Sequence, residues 1–164
     1  MKLFRNIRNN KKGFTLIELL VVIGILAVLL AITLIAINPG RQFSQANNTQ
    51  RASDVNAILN GVHQYMVDSK GVLPAGLVAG DVNKPIATDD GVPPAETDLA
   101  FCNALVPTYI AAMPVDPQTG TAFTGCTVYA TAYTISVSAT NNRITGTAPD
   151  TEIPPATVDI AVTR

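Results

Sequence analysis

From residue 14 to residue 37 the chain is apolar on every face, and Glu18 is its single charge. A surface helix carries an apolar stripe on one side only, and this run has no polar side. As a helix its 24 residues would span roughly 36 Å, more than the roughly 30 Å hydrocarbon core of a bilayer. The run ends at Asn38-Pro39-Gly40, a triplet that stops or kinks helices. Helical spacing then resumes at once. Phe43, Ala46, Val55, Ile58, Leu59, Val62, Tyr65 and Met66 recur at intervals of three and four, with one polar gap at Thr49-Gln50. Gln45, Asn48, Arg51, Asp54, Asn56, Asn60, Gln64 and Asp68 make up the opposite, polar face. Lys70-Gly71 supplies a stop. The pattern predicts one long helix over about 14–69, bent or locally melted near Pro39. Its second half must pack one stripe on something.

Residues 71–96 are rich in Gly, Pro and Asp and have no period, which predicts a long surface loop with room for one short strand. Thr97 is placed to cap a short helix that ends at Val106, before Pro107. Residues 113–120 are turn-rich. Thr, Val, Tyr and Ile dominate residues 128–138, where Tyr129, Tyr133, Ile135 and Val137 would share one face of a strand. Asn141-Asn142 is a turn candidate, with residues 143–148 returning as a second strand. Residues 158–162 read as a last strand or a loose end, after the breaks at Pro149 and Pro154-Pro155.

Charge sharpens this picture. Five of the 11 basic residues (Lys2, Arg5, Arg8, Lys11 and Lys12) precede Gly13, and no acid does. That asymmetry predicts a cytoplasmic leader and an exported C-terminal part. Without the leader, six basic and 12 acidic residues remain, a net charge of −6. No basic patch for nucleic acid is visible there. An ordinary signal peptide has its small-residue cleavage site after the apolar core. Here the small residue, Gly13, precedes it, so cleavage after Gly13 would remove the charges and keep the helix. In an oxidising compartment Cys102 and Cys126 form a disulfide by default, the alternative being two free buried thiols. Zinc is disfavoured, because the pair has no nearby Cys or His.

The basic leader, Gly13, Phe14, Thr15 and Glu18, followed by an apolar run, closely resemble the N-terminus of type IV pilins and type II secretion pseudopilins. The likeness covers residues 1–39; residues 40–70 follow by pattern alone, and 113–120 are similar to a proline–aspartate turn of small pilins and pseudopilins. The resemblance implies a prepilin peptidase that cuts between Gly13 and Phe14 and methylates the new amine. It implies that Glu18 pairs with that amine on a neighbouring subunit. It implies further partners: an inner-membrane assembly platform and its ATPase. The subunit would begin as a single-pass inner-membrane protein and end in an extracellular or periplasmic filament. An acid within a span costs about 2.5–3.5 kcal/mol unless it is paired or lies near an interface. The alternative role for Glu18 is therefore to sit at the interface of a simple anchor. Gly24 and Ala27 are small enough for close helix approach, or merely tolerated. Pro39 and Gly40 either end the span or let the helix melt on assembly. Many pilins carry a bending proline earlier, where this chain has Ile35, so melting is expected at residues 38–40. Many also close a C-terminal loop with their disulfide, whereas 38 residues follow Cys126 here. A Cys102–Cys126 bridge would instead staple the short helix to the start of the hairpin.

Other candidates carry less. His63, the single histidine, reads as a satisfied or solvated helix residue, and no Ser/His/Asp grouping suggests an enzyme. Asp81, Asp89, Asp90, Glu96 and Asp98 crowd a loop region that calcium could use, but none of it has EF-hand spacing and solvated charge is the plainer reading. No cofactor is expected. Asp116-Pro117 reads as turn chemistry, and Asn47-Asn48-Thr49 is a glycosylation triplet short enough to arise by chance. The expected fold is α+β, pilin-like, with a long N-terminal helix on a small antiparallel sheet. Its parts are a leader (1–13, removed), a membrane or filament-core helix (14–37), an amphipathic continuation (38–70) and a small exported region (71–164). The expected function is a structural filament subunit, not an enzyme. A pseudopilin or minor pilin is the alternative, and a membrane-anchored binding protein the third.

Overall fold

The structure, a computed structural model, describes residues 13–88, 96–152 and 158–164. The leader before Gly13, Asp89, Asp90, the Glu96 side chain and Pro154-Pro155 lie outside the described residues. The chain divides into two compact units, residues 1–39 and 40–164.

The first unit is helix α1, Leu16–Ile37. None of its residues is buried, and its mean hydropathy over an 18-residue window is 3.2. By length and composition it can cross a membrane. A helix with no polar side needs an apolar surround on every side, which lipid or other helices provide. It ends at Asn38, whose φ of 48° lies in the left-handed region. Asn tolerates that conformation better than most residues. The break is this one residue, not the triplet. Pro39 and Gly40, expected within it, open the next helix, α2, Pro39–Asp68. Proline suits a first helical position, where its missing N–H costs nothing and its φ is already helical. Thus Asn38 terminates one helix and Pro39 starts another.

The second unit is built on α2. Its buried residues are Arg51, Asp54, Val55, Ile58, Leu59, Gly61 and Val62, a stripe of threes and fours. Tyr65 and Met66 pack against the same core. Two expectations need correction. Phe43 is 71% exposed and Ala46 is exposed, because apolar packing on α2 starts only at Val55. Arg51 and Asp54, assigned to the polar face, are buried. The stop at Lys70-Gly71 takes its expected form: both residues have positive φ, and the Gly71 N–H closes on the Met66 carbonyl at 2.7 Å.

Four antiparallel strands form a sheet in chain order: β1 Lys84–Ala87, β2 Ala130–Val137, β3 Ile144–Ala148 and β4 Ile160–Thr163. Helix α3, Glu96–Leu105, lies between β1 and β2 in the chain. Thr97 therefore sits inside its first turn and is not its cap. Alternation holds along β2, so Tyr133, Ile135 and Val137 face the core together with Tyr129 just before the strand. The β1–β2 register slips between Pro85 and Ala87, opposite Ala132, whose φ is 62°. The Thr131 hydroxyl compensates for the lost ladder bonds. It donates to the Ile86 carbonyl at 2.7 Å and accepts the Tyr133 N–H at 3.1 Å. The β2–β3 turn is closed by Ser138 N–H to the Arg143 carbonyl, with Asn142 at φ 53°. Helix and sheet meet closely at Gly146, where a Cβ would lie 2.8 Å from a Val55 methyl. Cys102 of α3 is bonded to Cys126, Cα to Cα 5.5 Å, which ties α3 to the segment that leads into β2.

Candidate functional site

The first candidate is the start of α1. Gly13 and Phe14 precede the helix, Phe14 is 83% exposed, and among the described residues nothing lies within 4 Å of where a Gly13 Cβ would be. Thr15 is the N-cap, with extended backbone at φ −82°, ψ 152°. Its hydroxyl oxygen accepts the Glu18 N–H at 3.2 Å. Glu18 reaches back, and its Oε2 accepts both the Thr15 N–H at 2.9 Å and the Thr15 hydroxyl at 2.8 Å. This is a reciprocal capping box. The carboxylate that looked unpartnered in the sequence thus has a partner three residues away. The signal was present: Thr15-Leu16-Ile17-Glu18 is the S/T-x-x-E pattern that precedes an apolar helix. The box also places a negative group at the positive end of the helix dipole.

The second candidate is a polar cluster under α2. Arg51 is fully buried and grips Asp116 through two bonds, Nε to Oδ2 at 2.6 Å and Nη2 to Oδ1 at 3.2 Å. Its Nη1 donates to Asn48 Oδ1 at 2.9 Å and to Glu152 Oε1 at 2.8 Å. Asn47 adds a bond to the same Glu152 oxygen at 2.9 Å. Asp116 Oδ1 also accepts the backbone N–H groups of Gln118 at 2.8 Å and Thr119 at 3.0 Å. Burial opposes the Asp116 charge, but the Arg51 bonds and those two N–H groups outweigh it and hold its pKa at about 2. Beside it Asp54 accepts from Tyr133 at 2.9 Å and from Gln50 at 2.7 Å. Burial pushes its carboxyl up despite those bonds. The turn at Asp116-Pro117 is therefore more than a turn: it presents the acid that neutralises Arg51. Gly120 completes it, since a Cβ there would meet the Asp116 backbone at 2.6 Å. These bonds join α2, the 113–120 turn and Glu152 to one another.

The remaining sequence candidates do not converge. Asp98 lies 3.5 Å from the Lys84 ammonium, and Asp81 accepts the Val78 N–H at 2.8 Å. Among the described residues, no three His, Cys, Asp or Glu side chains are grouped to hold a metal. His63 departs from expectation, because its Nε2 is buried with no hydrogen-bond partner among the described residues. Asn47 and Asn48 of the glycosylation triplet are both engaged with Glu152 and Arg51.

Comparison with known proteins agrees on the first candidate. Residues 8–34 match the family described as the prokaryotic N-terminal methylation motif, the class III signal of type IV pilins and pseudopilins. No curated protein and no solved structure matches the chain. The motif marks the chain as a type IV pilin-like or pseudopilin precursor. Its α+β architecture, a long apolar helix with a small antiparallel sheet, is consistent with a pilin-like fold.

Proposed function

We propose that the mature chain is a structural subunit of a type IV pilus or pilus-like filament. The observation that carries this is α1: apolar on all faces, wholly exposed, and opened by a single acid within the methylation motif. Prepilin peptidase cuts between Gly13 and Phe14 and methylates the new amine of Phe14. The leader stays on the cytoplasmic side, and residues 40–164 are exported. While the subunit waits, lipid surrounds α1. On assembly, α1 leaves the bilayer and is surrounded by the α1 helices of other copies, driven by an ATPase at an inner-membrane platform. Lipid and helix neighbours are about equally apolar, so close packing and polar pairing, not hydrophobicity, must favour the filament. The Glu18 carboxylate of one copy and the cationic Phe14 amine of the next supply that pairing. In a low-dielectric core such a pair selects one axial register even where its net stabilisation is small.

Mass spectrometry of the mature protein tests the processing step. The expected N-terminus is methylated Phe14; a retained leader refutes the reading. Electron microscopy of sheared surface fractions tests assembly, with long filaments containing this chain as the expected result. Export defects without such filaments assign it to a secretion pseudopilin instead.

A further inference from the structure

Ser44, Asn47, Asn48 and Arg51 recur on α2 at intervals of three and four, so they share one face. Ser44, Asn47 and Asn48 are half-buried, although residues 45, 46, 49 and 50 between them are exposed. All four meet one acid on the segment that follows β3. Glu152 Oε1 accepts from Asn47 at 2.9 Å and from Arg51 at 2.8 Å, and the Ser44 hydroxyl donates to the same carboxylate. The Glu152 N–H donates to Asn48 Oδ1 at 3.3 Å. Two positions earlier, Asp150 Oδ2 accepts the Thr119 hydroxyl at 2.7 Å, which ties this segment to the 113–120 turn. We propose that Glu152 is a clasp: it holds residues 44–50 of α2 against the rest of the second unit, and its release frees that stretch alone, with the Arg51–Asp116 pair as the stop.

The physical case rests on what is buried and what is not. Residues 44–50 bury no apolar side chain, since apolar packing on α2 starts at Val55. Among the described residues, the hydrogen bonds that join this stretch to anything outside α2 all run to Glu152. A stretch held without apolar burial can open by itself, because opening it exposes no core surface. Exposure decides which bond yields first. The Glu152 side chain is 20% exposed, so water can take the place of its donors. The Asp116 side chain is 1% exposed, and Arg51 keeps both bonds to it when Glu152 lets go. Burial opposes the Glu152 charge, but the bonds from Asn47, Arg51 and Ser44 outweigh it and lower its pKa. The clasp is therefore charged and closed at neutral pH.

Amide hydrogen exchange of the full chain in detergent micelles tests this, with amides 58–66 of the same helix as the internal reference. Glu152→Ala should speed exchange at amides 47–51 roughly tenfold relative to that reference, the size of one hydrogen bond to a charged group. Unchanged exchange at 47–51 overturns the clasp. Equal acceleration at 58–66 overturns it too, because Glu152 would then support the whole core and not one stretch. A second variant works in the opposite direction and threatens no core contact. Asn47→Lys brings an ammonium to Glu152 and should slow exchange at 47–51 several-fold, but should have little effect when combined with Glu152→Ala. Equal slowing in both backgrounds would assign the effect to helix propensity and overturn the proposal.

Discussion

Arg51 shows how far a residue's role can lie from its local pattern. On α2 it occupies a position that reads as polar surface, yet it is fully buried. Its partners Asp116 and Glu152 are 65 and 101 positions away, a distance at which no helical period carries information. The stripe was legible from Val55 onward, where apolar residues mark it. Its polar part was not, because a buried charge is recognised only by its partner. Replacing Arg51 with Met leaves Asp116 buried and short of two donors. The expected cost is about 3–5 kcal/mol, read from denaturant unfolding of the detergent-solubilised chain. The pair also makes a pH dependence. The pKa of Asp116 is held at about 2 when folded, below the ordinary 3.8. A depressed carboxyl stabilises the fold above the unfolded value, and that contribution disappears as pH falls through the folded one. Roughly 2 kcal/mol should therefore be lost on going from pH 5 to pH 2, and Asp116→Asn should flatten this part of the stability profile. Asp54 has the opposite sign, because its carboxyl is raised by burial. Its charge costs stability at neutral pH, and protonation relieves that cost on acidification. Tyr133→Phe removes one of its two donors and should destabilise by about 1–3 kcal/mol at pH 7, less in acid.

Among elements, those with a complete local signal were legible: α1 from its unbroken apolar run, the α2 stop at Lys70-Gly71, and β2 and β3 on either side of Asn141-Asn142. Where a boundary depends on one backbone conformation, the sequence located it only to within a residue or two. Asn38 rather than Pro39 breaks the helix, because an asparagine can turn left-handed and a proline can open the next helix. The slip in β2 at Ala132 had no signal, since alanine does not ordinarily mark a positive φ. It is made tolerable by the Thr131 hydroxyl, which takes over the strand's missing bonds. The disulfide works at this scale too. It joins α3, from which Phe101, Cys102 and Leu105 enter the core, to the segment ahead of β2. It closes a sequence separation of 24, for which the chain-entropy value is about 3 kcal/mol. The double substitution Cys102→Ser/Cys126→Ser should lower stability by about that amount. An unchanged midpoint would mean that packing of α3 alone holds this corner.

In the whole molecule, the buried core and the long apolar helix occupy different stretches of chain. Among the described residues, the core runs from Val55 to Val162 and includes none from α1. α1 in turn has no buried residue. On the filament reading proposed above, such a division would suit a subunit that leaves a bilayer, since the buried core is assembled from residues of the second unit. The sequence disclosed the division through the end of the apolar run at Asn38 and its single charge. The capping box that ties Glu18 to Thr15 was legible too, in the spacing Thr15-Leu16-Ile17-Glu18 ahead of an apolar helix. The separation has a direct consequence. Leu26 lies in the middle of α1, and Leu26→Lys puts a charge at the centre of the span, at about 2.5–3.5 kcal/mol on insertion scales. Membrane retention and filament yield should both fall several-fold. Limited proteolysis should still leave a resistant core of residues 40–164, with the Cys102–Cys126 bridge formed. If Leu26→Lys instead made that core protease-sensitive, α1 would be part of what holds the exported unit folded, and the division of labour would be wrong.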